Sequence, residues 1–92
     1  MLYLAAALAA ASAGPAAHYL AEPVAPPAAA RFVIRDIMWR CGPSACTSGK
    51  SNSRPAIVCA ALVKEVGAVR GFSAAGKPFA AVELKKCNAA ER

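Results

Sequence analysis

A chain of 92 residues with a net charge of +6 holds one domain at most, and its 58% hydrophobic content overstates its core, because 25 residues are alanine. That length excludes a multi-domain machine or a large multi-step enzyme. The lack of any run of about 18 apolar residues excludes a polytopic membrane protein.

Residues 1–13 read as a signal peptide. Leu2–Ala13 (LYLAAALAAASA) is an apolar run closing on Ala11-Ser12-Ala13, a small-x-small cleavage pattern. Cleavage is expected before Gly14, and Gly14-Pro15 suits such a junction. No Lys or Arg precedes Arg31, so the basic start of a signal peptide is missing from this stretch. An Ala-rich surface helix is the alternative. The run is too short to cross a bilayer, so the mature chain is expected to have no transmembrane span.

Residues 14–30 read as an Ala/Pro-rich linker, because they hold four of the seven prolines. Proline removes backbone donors and alanine offers no core. The only histidine, His18, falls here. No framework is expected to hold it, which argues against a His-based triad or metal site.

A small domain is expected over residues 31–88, with a tail over 89–92. Arg31–Arg40 (RFVIRDIMWR) is rich in β-branched and aromatic residues and predicts a strand. Large apolar groups fall on both of its faces, so it is either covered on both sides or twisted partway. Cys41–Ser53 predicts a long loop. Arg54–Val66 predicts a helix, capped by Ser53, with Pro55 in its first turn and Gly67 as its stop. Val58, Cys59, Leu62, Val63 and Val66 form its buried stripe. Val69–Ala74 and Pro78–Lys86 predict two strands joined by a turn at Ala75-Gly76. The order is β-α-β-β: an α+β fold in which one helix packs on a sheet of about three strands, held by two disulfides.

The cysteines are Cys41, Cys46, Cys59 and Cys87. An even, dense set in an exported chain predicts two disulfides. A thiol-redox or Cys-metal protein is the rival reading. Zinc sites usually present two close pairs, and only Cys41 and Cys46 are close. Cys41-Gly42-Pro43 begins like a redox motif, but Cys46 comes two residues too late. Ser48-Gly49-Lys50-Ser51 matches only the tail of a phosphate-binding loop, with Ser44 where a glycine is needed. If the last strand returns beside the first, Cys87 lies a helix length from Cys59. That reasoning predicts Cys46–Cys59 and Cys41–Cys87. The alternative, Cys41–Cys46 with Cys59–Cys87, requires the final hairpin to fold back across the helix.

No catalytic residue, cofactor or metal site is expected. Asp36, Glu65 and Glu83 are widely spread along the chain. Asp36 is expected at an ion pair, with Arg35, Arg40 or Lys85, or at a strand edge; burial is the alternative. Trp39, beside Cys41, is expected to pack in the core rather than form a ligand platform. All eleven Lys and Arg lie after residue 30. Such a domain is drawn to anionic surfaces, and Arg31, Arg35, Arg40, Lys85 and Lys86 form the candidate anion-binding surface. The partners expected are anionic envelope components. No specific nucleic acid is expected, because aromatics do not interleave with the cations. A merely solvated surface is the alternative.

Trp39-x-Cys41, Cys46, Ser53-Arg54-Pro55-x-x-Val58-Cys59, Glu65-Val66-Gly67, Phe72, Gly76 and Leu84-x-x-Cys87-Asn88 resemble a family of small exported four-cysteine proteins. It is associated with alphaproteobacteria, sphingomonads in particular. The resemblance covers Arg31–Asn88 and implies export and a shared fold. It brings no catalytic residue and no assigned activity. The reading is therefore a periplasmic or secreted, non-enzymatic protein, an envelope interaction module. A cationic binder of anionic envelope polymers or membrane surfaces is the alternative.

Overall fold

A computed structural model describes residues 17–91. The proposed signal peptide and its cleavage site lie outside the described residues. Six antiparallel strands form one sheet, and two helices accompany it. This corrects the expected three strands and one helix: strands are added at Tyr19–Pro23 and Cys46–Ser48, the Arg31–Arg40 strand divides in two, and the last strand is mostly helix.

The sheet begins inside the stretch read as a linker. Strand β1, Tyr19–Pro23, turns Tyr19, Ala21 and Pro23 inward and Leu20 and Glu22 outward. It pairs with neighbours on both sides, so it is an interior strand. Its register breaks between Glu22 and Pro23, where the missing proline N–H would leave a gap in the ladder. His18 leads into it, accepting from Ala75 N at 2.8 Å and donating to Ser48 O at 2.9 Å through its backbone.

The expected single strand over Arg31–Arg40 is a hairpin. Strand β2, Arg31–Ile34, turns at Arg35-Asp36 into β3, Ile37–Cys41. Both turn residues take positive φ, 50° and 67°, as the tight two-residue hairpin requires. The turn explains the imperfect alternation. Ile34 faces Ile37 and Phe32 faces Trp39 on the inner side, while Val33 faces Met38 outside. Asp36 is exposed at the tip, not buried.

The expected loop contains strand β4, Cys46–Ser48, which pairs with β3 on one side and β1 on the other. Helix α1, Pro55–Val66, follows much as predicted. Its N-cap is Arg54 rather than Ser53, with no side-chain cap. Gly67, at φ 85°, closes it with its N–H on Val63 O at 2.9 Å. Strand β5, Val69–Ala74, turns at Ala75-Gly76 into β6, which is only Lys77-Pro78. The spatial order is β2-β3-β4-β1-β5-β6.

The strand expected over Pro78–Lys86 is mostly helix α2, Ala81–Asn88. Its residues are dominated by the helix formers Ala, Glu, Leu and Lys. Glu83 Oε1 accepts from Ala80 N–H at 3.0 Å, half of a capping box. Leu84 and Cys87 turn inward, whereas Val82 is 61% exposed.

Both helices contribute to a single core with the inner face of the sheet. Tyr19, Trp39, Leu62, Val63, Val69 and Phe72 are its large members. Trp39 is fully buried, and its indole N–H has no partner. The disulfides are Cys41–Cys46 and Cys59–Cys87. This corrects the expected Cys46–Cys59 and Cys41–Cys87 pairing. Because β6 ends after two residues, the chain enters α2 and packs against α1, which brings Cys87 to 5.7 Å from Cys59 between α-carbons. Cys41 and Cys46 face each other across the β3–β4 ladder.

Candidate functional site

Two surfaces remain once the core is formed. The first is the outer face of the sheet. Cross-strand partners share a face, so register fixes its members. Arg31 lies opposite Arg40, Arg40 opposite Thr47, Thr47 opposite Leu20 and Leu20 opposite Ser73. Val33 and Met38 form a second row, 62% and 49% exposed. Glu22 is the acidic residue on this face, and its carboxylate lies over Gly71, where an added Cβ would meet Oε1 at 2.8 Å.

The candidate anion-binding residues are divided by this fold. Arg31 and Arg40 are direct neighbours, and Arg35 stands at the tip of the same hairpin. Lys85 and Lys86 sit on α2, which packs against α1 and β5 on the inner face. Two strands separate β3 from β5, roughly 14 Å between them at ordinary strand spacing. The five cations therefore do not make one patch.

The second surface is an open groove of about 760 Å³ between the start of α1, the β5–β6 hairpin and α2. Ala56, Ala60, Ala74, Pro78, Phe79 and Cys87 supply its apolar lining. Phe79 is held by its tilted ring contact with Phe72, with centroids 4.8 Å apart and planes at 58°, and by its N–H on Phe72 O at 2.8 Å. Three cations from three elements line the same groove: Arg54 before α1, Lys77 on β6 and Lys86 on α2. Glu83 is the acidic residue among the lining, and one of its oxygens is engaged at the α2 cap.

Sequence reasoning identified Lys86 but not Arg54, Lys77 or Phe79 as site residues. Arg54 lies far in sequence from Lys77 and Phe79, and the groove forms only where the β5–β6 hairpin and α2 pack beside the start of α1. The available signal was the run of helix formers over residues 80–86, with Leu84 and Cys87 at helical spacing.

All four cysteines are in disulfides. His18 is half-buried and sets its ring edge-on to Tyr19, with centroids 4.6 Å apart. No helix among the described residues is long and apolar enough to cross a membrane.

No curated protein and no solved structure matches this chain. A model of a family of unknown function, DUF8200, matches residues 2–89, nearly the whole sequence, and the chain belongs to that family.

Proposed function

We propose that this is a small exported, non-enzymatic interaction module of the cell envelope, periplasmic or secreted. It engages anionic envelope polymers or lipid headgroups through the outer face of its sheet. The alphaproteobacterial setting implied by the sequence resemblance goes with this reading.

The observation that carries the proposal is the Arg31–Arg40 pair. Like charges directly opposite each other destabilise a sheet. Both guanidinium-bearing residues nevertheless stand on an exposed face, beside exposed Val33 and Met38. A planar anionic surface would relieve their repulsion, and the apolar row would meet the same surface. The net charge of +6 favours the encounter. Two disulfides are compatible with an oxidising compartment.

Retention on phosphatidylglycerol vesicles and on heparin, followed with rising salt, tests the binding. Retention is expected at about 0.1 M salt and release well below about 1 M, where screening shortens to roughly 3 Å. Retention unchanged by salt would overturn it. Export is tested separately by intact mass of protein recovered from the cell exterior or periplasm. A chain beginning at Gly14 is expected, and a chain retaining Leu2–Ala13 would refute cleavage at that site.

A further inference from the structure

The groove on the helix side of the molecule has a different character from the outer face, and its chemistry selects a different ligand. Its lining is mostly small and apolar, with one aromatic ring, Phe79, fixed against the core. Small residues leave room for a guest instead of filling the space themselves. The volume, about 760 Å³, lies within the range of small-molecule sites. Charge is the second constraint. Arg54, Lys77 and Lys86 reach the groove from separate elements, against the single carboxylate of Glu83, part of which is committed to Ala80 N–H. A guest that matches this lining has an apolar body and an anionic head.

The backbone around the groove narrows the choice. An extended peptide docks by adding a strand to a free sheet edge. The edge here is β6, two residues long, and Pro78 has no N–H to offer. Nothing at this edge can sustain a ladder, so the groove suits a guest that needs no backbone pairing. We propose that it binds an anionic amphiphile: a carboxylate bearing an unbranched acyl chain of medium length. The chain lies over Phe79 and the alanines of α1, and the carboxylate meets Lys77, Lys86 and Arg54.

Titration of the isotopically labelled, disulfide-intact protein with decanoate, below its micelle concentration, tests this by amide NMR. Decanol, decyltrimethylammonium and a Leu/Glu helical peptide serve as comparisons. Saturable shifts are expected at Ala56, Ala60, Lys77 and Phe79 with decanoate. Decanol is expected to bind about tenfold more weakly, the loss of one or two partly exposed charge contacts. The cationic amphiphile is expected not to saturate. Neutralising two exposed lysines, in a Lys77→Gln, Lys86→Gln double variant that places no acid in the last turn of α2, should weaken decanoate by about tenfold with the melting temperature little changed. Ala60→Leu, which fills the groove from a helical position, should weaken decanoate and decanol alike.

Equal affinity for decanol and decanoate would overturn the proposal. So would shifts confined to the outer-face residues Leu20, Arg31 and Arg40, or unchanged decanoate affinity in the double lysine variant. Saturation by the peptide in place of decanoate would assign the groove to a protein partner. Because vesicle binding by the outer face is read at different residues, either proposal can fail without the other.

Discussion

Asn88 pairs with Val69 as a neighbouring strand would. Its side-chain oxygen accepts from Val69 N–H at 2.9 Å, and its side-chain nitrogen donates to Val69 O at 2.8 Å. Val69 opens β5 opposite Pro23, at the register break of β1. One side-chain amide at the end of α2 thus completes a sheet ladder and anchors the second helix. Cys87, the preceding residue, is bonded to α1. The two adjacent residues tie α2 to both of the elements it packs against.

Asn88→Ala should therefore cost about 1–3 kcal/mol, the penalty of leaving buried backbone groups unpaired. Asn88→Asp keeps the acceptor but turns a carboxylate oxygen toward Val69 O in place of the donor, so it should cost at least as much as Asn88→Ala. Denaturant unfolding of the disulfide-intact protein measures both. A loss within error for Asn88→Ala would show that water replaces the amide.

The disulfide pairing has a direct chemical readout. Trypsin cuts after Arg40 and Lys50, so residues 41–50 should emerge as one peptide, two hydrogens lighter than its reduced form, with both Cys41 and Cys46 inside. Cleavage after Lys50, Lys64 and Lys86 should leave residues 51–64 joined to the peptide starting at Cys87. Loop entropy makes the long link the stronger stabiliser. Removing Cys59–Cys87 should cost about 3–4 kcal/mol, and removing Cys41–Cys46 about 2 kcal/mol.

These pairings were open in the sequence for a definable reason. Helix α1 is legible because three independent signals agree: an apolar stripe, Pro55 at the start and Gly67 at the end. The β5 strand and its Ala75-Gly76 turn are legible by alternation and by a glycine suited to positive φ. Strand β1 is hidden because its inward positions include Ala21 and Pro23, residues that carry no strand signal, yet Ala21 is fully buried. The β2–β3 hairpin is hidden because Arg35-Asp36 takes a conformation that Asn-Gly would announce. The groove is least legible of all. Its cations come from three elements, and their meeting depends on the helix that was read as a strand.

Val82 distinguishes the two readings of that segment by stability alone. It is an exposed β-branched residue within α2, with restricted χ1 freedom. Val82→Ala should stabilise the protein by up to about 0.5 kcal/mol through helix propensity. In a strand the same change would destabilise, because Val suits a pleated surface better than Ala. Thermal or denaturant unfolding gives the sign.

The arginine pair on the outer face separates binding from folding. Arg31 and Arg40 face each other across β2 and β3, and both are exposed. Reversing one charge, Arg40→Glu, converts a repulsive cross-strand pair into an attractive one. Exposed pairs of this kind contribute roughly 0.2–1 kcal/mol, so the variant should be slightly more stable than wild type. Its net charge falls by two, and the anionic surface loses a contact at the centre of the proposed face. Release from phosphatidylglycerol vesicles should therefore occur at distinctly lower salt while unfolding moves the other way. Opposite signs for the two measurements exclude misfolding as the cause of weaker binding. If Arg40→Glu binds as wild type does, the outer face is a solvated surface, and the charge that matters lies on the helix side.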